Sequence, residues 1–145
     1  MNVEFKVANY SDLEGIIKLC DECFDEHTNL DYAKKIFEEN KDDKNQIYVI
    51  GVLNGEIVAH AKVSVIPTIY EDMNTFAILN HVCVKPDLRR EHIGTKLLDE
   101  CFKISKEHNC KCVELWSKNF RVPAHSLYHS YGFEVMDAKF FTKDI

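Results

Sequence analysis

The chain has 145 residues, a formal net charge of −6, 46% hydrophobic residues and 29% charged residues. This length predicts one domain, 1–145, with one core and one cleft, and the acidic balance argues against nucleic-acid binding. The charged opening from Met1 to Val7 lacks the apolar stretch of an export signal, and no apolar run is long enough to cross a bilayer, so the expectation is a cytoplasmic protein with no membrane partner.

Val3, Phe5 and Val7 alternate and predict a first strand. Ser11 and Glu14 have capping-box spacing, opening a helix expected to run to about Glu26. Thr28 to Asp31 is a second helix start, with Tyr32, Ile36 and Phe37 turned inward. Asn54-Gly55 separates two apolar runs, Ile47 to Leu53 and Glu56 to Ile66. Asn-Gly supplies the two positive φ angles of a type I′ turn, which predicts a hairpin. Its second arm should hold Ile57, Ala59, Ala61, Val63 and Val65 on one face. A strand follows from Thr75 to Val84, then a helix whose apolar stripe is Ile93, Leu97, Leu98, Cys101 and Phe102, ending near His108. Val113 to Trp116 reads as a strand, Pro123 to Tyr131 as a helix, and Phe133 to Phe141 as two short strands.

Cys20, Cys23, Cys83, Cys101, Cys110 and Cys112 read as free thiols in a chain without an export signal. Cys20-x-x-Cys23 and His108-x-Cys110-x-Cys112 raise a zinc site. However, Cys20 and Cys23 fall in the apolar pattern of the first helix, Cys101 on the apolar face of a later one, and Cys112 in a strand. Four-ligand spacing is absent, so the reading is core packing and no metal.

The informative segment runs from Val82 to Leu98: a strand end, Lys85-Pro86, a basic loop with Arg89 and Arg90, then a helix opening near Gly94. A helix start exposes unpaired N–H groups and the positive end of its dipole, and both suit a phosphate. A plain β–α connection with solvated arginines explains the same residues when they are taken alone.

The segment resembles the signature of the GCN5-related N-acetyltransferases (GNAT), a Val-x-Pro strand end followed by Arg or Gln, two residues, Gly, one residue, and Gly or Ala. Val84, Pro86, Arg89, Gly94, Leu97 and Leu98 match; His92 stands where the family usually has the first glycine. A negative φ at His92, or a contact of its imidazole with a phosphate, would accommodate the departure. A second block, Ala124 to Phe133, is similar to the family's Ala-x-x-x-Tyr-x-x-x-Gly-Phe pattern, with Tyr128 and Gly132 in register.

The resemblance implies an α/β fold with a mixed, mostly antiparallel central sheet flanked by helices. It implies acetyl-CoA as co-substrate, held by Val82, Cys83, Val84, Arg89, Arg90, His92, Ile93, Gly94 and Thr95, with Asn119 on the pantetheine arm. Tyr128 would protonate the departing thiolate. Many relatives carry a glutamate base where this chain has Asn80, which cannot act as one. His81 is the next candidate, although strand alternation would turn it away from its neighbour's face. The implied partner is a small-molecule or peptide amine, cationic if the acidic groups Glu22, Asp25, Glu26, Asp31, Glu71 and Asp72 wall its site. A non-catalytic acyl-CoA-binding module and a zinc-stabilised interaction domain are the rival readings. Oligomeric state stays open, a homodimer included.

Overall fold

The structure is a computed structural model that describes residues 2–145. The chain forms two compact units, Met1–Leu115 and Trp116–Ile145. The first holds β1 (Glu4–Val7), α1 (Leu13–Phe24), α2 (Leu30–Glu39), β2 (Gln46–Leu53), β3 (Glu56–Ile66), β4 (Phe76–Val84), α3 (Ile93–Glu107) and β5 (Val113–Glu114). The second holds α4 (Val122–Tyr131).

The five strands form one sheet in sequence order. β1 to β4 pair antiparallel, and β5 joins β4 parallel. This is the mixed, mostly antiparallel sheet that the sequence implied. Asn54 and Gly55 make the β2–β3 turn with φ of 50° and 79°, as the Asn-Gly pair dictates.

α1 and α3 both pack on β3. Four consecutive residues of that strand, Val58 to Ala61, are buried, so both its faces are covered. Ile16, Leu19 and Cys20 of α1 close on Ile50 and Cys83. Ile93, Leu97, Leu98 and Cys101 line the buried side of α3.

Several local expectations need correction. The first capping box is Asn9 with Asp12, two residues earlier than Ser11 with Glu14; it opens a short 3-10 turn that leads into α1. The second helix is capped by Asn29, whose side chain accepts from the Tyr32 N–H. In both places an asparagine out-competes the neighbouring hydroxyl residue as the cap. Tyr32 is 63% exposed rather than turned inward. Cys112 precedes β5 and is exposed.

β3 does not keep a single apolar face. Gly51 pairs with Ala59 and Val52 with Ile57, so Val58 is an extra residue. That bulge moves Ile57 toward the α1 cluster, out of phase with Ala59, Ala61, Val63 and Val65.

In the second unit, Gly132 stops α4 at φ 106°, and the Phe133 N–H returns to the Tyr128 carbonyl at 2.9 Å. This is a Schellman-type closure, and it gives the Tyr-x-x-x-Gly-Phe spacing a structural reason. The Phe133 ring then meets Tyr128 edge-on, centroids 5.7 Å apart. The two strands expected over 133–141 do not form: among the described residues no ladder includes them. Val135, Met136, Phe140 and Phe141 are exposed there. Asp137-Ala138 breaks the alternation that a strand would need.

Candidate active site

The site begins with an irregularity in β4. His60 pairs with Cys83 but Lys62 pairs with Asn80, so His81 and Val82 together oppose Ala61. β4 therefore carries a bulge, with His81 at φ 48°. A bulge takes backbone groups out of the ladder, and the His81 carbonyl is satisfied by the buried His60, whose Nδ1–H donates to it at 2.8 Å.

The bulge also sets the direction of His81. His81 faces the end of α1, with its ring 4.8 Å from that of Phe24. Its Nε2 lies 2.9 Å from Glu26 Oε1. A carboxylate accepts, so Nε2 carries a proton, and in the neutral ring Nδ1 is the bare nitrogen. Both side chains are about half exposed, at 47% and 42%, so the pair is open to a substrate. The sequence placed Glu26 only in an acidic wall; its pairing with His81 escaped notice because the two lie 55 residues apart.

Among the described residues, no strand pairs with β4 on its β5 side past Ile78, since β5 pairs only with Ala77 and Ile78. The edge through Val82, Cys83 and Val84 therefore has no ladder partner there, and Cys83 itself is buried. After Val84 the chain makes a short 3-10 turn, Pro86–Leu88, and passes Arg89 and Arg90. Both arginines are exposed, and neither forms an ion pair among the described residues.

His92 is the N-cap of α3 and makes no side-chain capping bond, and no acidic residue occupies the first turn. The leading N–H groups of Ile93, Gly94 and Thr95 thus have no side chain competing with an anion. His92 stands at φ 61° and Arg90 at 70°. The negative φ that would have excused His92 is not what the backbone adopts.

One structural unit thus brings together His81, Val82, Cys83, Val84, Arg89, Arg90, His92, Ile93, Gly94 and Thr95. Tyr128 and Asn119 belong to the second unit. There Tyr128 is half-buried on α4, and Asn119 is exposed in the turn that precedes it. A groove between α1 and the hairpin, lined by Lys18, Glu22, Glu56 and Lys85 among others, contains none of these residues.

The sequence profile described as "Acetyltransferase (GNAT) family" matches residues 13–133, and the chain belongs to that family. No curated protein sequence matches it. Solved structures share its fold over nearly the full length at low identity. A putative acetyltransferase from Agrobacterium tumefaciens superposes with a TM-score of 0.87 at 19% identity, covering 97% of this chain and 99% of that one. A predicted acetyltransferase with acetyl-CoA from Clostridium acetobutylicum gives 0.78 at 18%, covering 98% and 96%. An aminoglycoside 6′-N-acetyltransferase from Acinetobacter haemolyticus gives 0.78 at 18%, covering 100% and 99%. Among the described residues, no helix is long and apolar enough to cross a membrane.

Proposed function

We propose that the whole chain acts as one N-acetyltransferase domain, moving an acetyl group from acetyl-CoA to a primary amine. The observation that carries this reading is the concentration of a strand edge without a ladder partner, a bulged histidine and an uncapped basic helix start within residues 80–95. In this reading the pyrophosphate of CoA lies on the N–H groups of Ile93, Gly94 and Thr95, with Arg89 and Arg90 adding charge. The pantetheine arm takes the place of a strand beside Val82 to Val84, and Asn119 supplies a further polar contact to it.

The amine must be neutral to attack. His81 Nδ1 takes its proton, and Glu26 holds the imidazole in the required tautomer and steadies the imidazolium that forms. The amine nitrogen bonds to the thioester carbon, and the N–H groups of Val82 to Val84 stabilise the developing oxyanion. Collapse breaks the carbon–sulfur bond; Tyr128 gives its phenolic proton to the departing thiolate, and its phenolate takes back the extra proton from the amide nitrogen. Glu22, Asp25, Asp31, Glu71 and Asp72 are exposed and favour a cationic acceptor such as a polyamine or aminoglycoside.

Calorimetry of CoA binding tests the placement of the cofactor. The Arg89→Ala/Arg90→Ala protein should bind CoA more weakly by about tenfold or more, with a flatter dependence on salt. Unchanged affinity would remove the pyrophosphate from this loop.

A further inference from the structure

Among the described residues, two polar side chains are buried, His60 and Ser105. Ser105 is satisfied locally, because its hydroxyl donates to the Cys101 carbonyl one turn back on α3. His60 is not. It lies in the middle of β3 at 3% exposure, and its Nε2 is buried with no hydrogen-bond partner. Burying an imidazole nitrogen without a partner is unfavourable, and an aliphatic residue of similar volume would avoid it. What offsets that cost lies at the other nitrogen.

His60 Nδ1–H donates to the His81 carbonyl at 2.8 Å. The Cys20 sulfur of α1 sits 3.6 Å from the same nitrogen, and the imidazole lies 6.1 Å from the Tyr48 ring. The His60 side chain therefore stands on the α1 face of the sheet. Ladder bonds run between backbones in the sheet plane, whereas side chains stand out of it. A carbonyl bonded to the His60 ring has thus turned out of the ladder toward α1. Regular pairing would instead set His81 opposite Ala61. Ala61 follows His60 in the strand, so that position faces away from α1. The bulge is what brings His81 to the α1 face, where Phe24 and Glu26 meet it.

We propose that His60 is a positioning residue: its hydrogen bond to the His81 carbonyl holds the bulge that turns the His81 imidazole toward Glu26. The role deepens the reading of His81 as the base and takes its catalytic meaning from it. The sequence did not mark His60, because it alternates with the apolar residues of β3 as a solvent-facing residue would.

The orientation of His81 can be read without an activity assay. In the wild type, a nuclear Overhauser contact is expected between the ring protons of His81 and Phe24, whose centroids lie 4.8 Å apart. His60→Leu removes the donor and should abolish that contact. His60→Asn puts an N–H near the place of Nδ1 and should retain it. Turnover should follow the same order, with kcat falling about tenfold or more in His60→Leu and recovering in His60→Asn, at unchanged CoA affinity. In a His81→Gln background, His60→Leu should cost nothing further, because it acts through His81. A residue that only supports the fold would move the melting temperature and none of these.

Because His60→Leu could fail to fold, the 15N shifts of the wild-type His60 ring supply a second measurement. The Nδ1–H tautomer is expected, and the Nε2–H tautomer would overturn the proposal. So would a ring contact that survives in folded His60→Leu, equal losses of kcat in the Leu and Asn variants, or an additive loss in the double variant. A wild type that turned over no amine would remove His81 as the base, and the ring contact would still decide whether His60 aims it.

Discussion

The hairpin turn at Asn54-Gly55 and the segment from β4 into α3 both bend the chain through left-handed backbone, but with opposite side chains. Asn and Gly tolerate that region, and the turn holds them there at φ 50° and 79°. His81, Arg90 and His92 stand at 48°, 70° and 61°, where a side chain of their kind costs about 1–2 kcal/mol each. The other positive-φ residues described are Asp, Asn or Gly: Asp25, Asn74, Asn109 and Gly132. The unfavourable residues therefore cluster within one short stretch, the one that carries the proposed base and cofactor loop. Strain of this kind persists where the surrounding structure enforces it, and it gathers at sites that act. The turn shows what the chain does when only folding is at stake.

Breaking each side of the comparison gives different readouts. His81→Gln removes the proton acceptor while keeping a polar side chain of moderate size. We expect kcat to fall by about a hundredfold with CoA affinity unchanged. A residue that only shapes the bulge would instead lower the melting temperature and leave kcat alone. Gly55→Ala acts purely on backbone, because an added Cβ meets nothing within 4 Å. Denaturant unfolding should show a loss of about 1–2 kcal/mol; no loss would mean the turn relaxes and the contrast with His92 fails. His92→Gly should do the reverse, raising stability by up to about 1 kcal/mol after the entropy that glycine adds to the unfolded chain. A drop in stability would show that the imidazole itself supports the loop.

The same contrast explains what could be read from sequence. The hairpin and the α4 terminus were legible because Asn54-Gly55 and Gly132-Phe133 carry their backbone geometry in their side-chain chemistry. The stripe of α3 was legible from its period. The bulge was not, since Leu79, His81 and Cys83 keep a period of two that hides the extra residue. Without the bulge, the direction of His81 could not be inferred, nor the contact with Glu26. Residues 133–141 misled because Phe133, Val135, Phe140 and Phe141 have strand chemistry, while a strand forms only with a ladder partner. The motif around Arg89 and Gly94 marked the loop and helix start that we propose for the cofactor, but the positive φ at His92 runs against the residue found there.

Amine-dependent release of CoA from acetyl-CoA, followed for the wild type and Tyr128→Phe over a panel of polyamines, aminoglycosides and neutral amines, tests the central claim most directly. The account predicts turnover by the wild type, faster with the polycations, and a fall in kcat of about a hundredfold or more when the phenol is removed. Acetyl-CoA that binds the wild type but releases no CoA with any amine would contradict it, leaving a binding module in place of an enzyme.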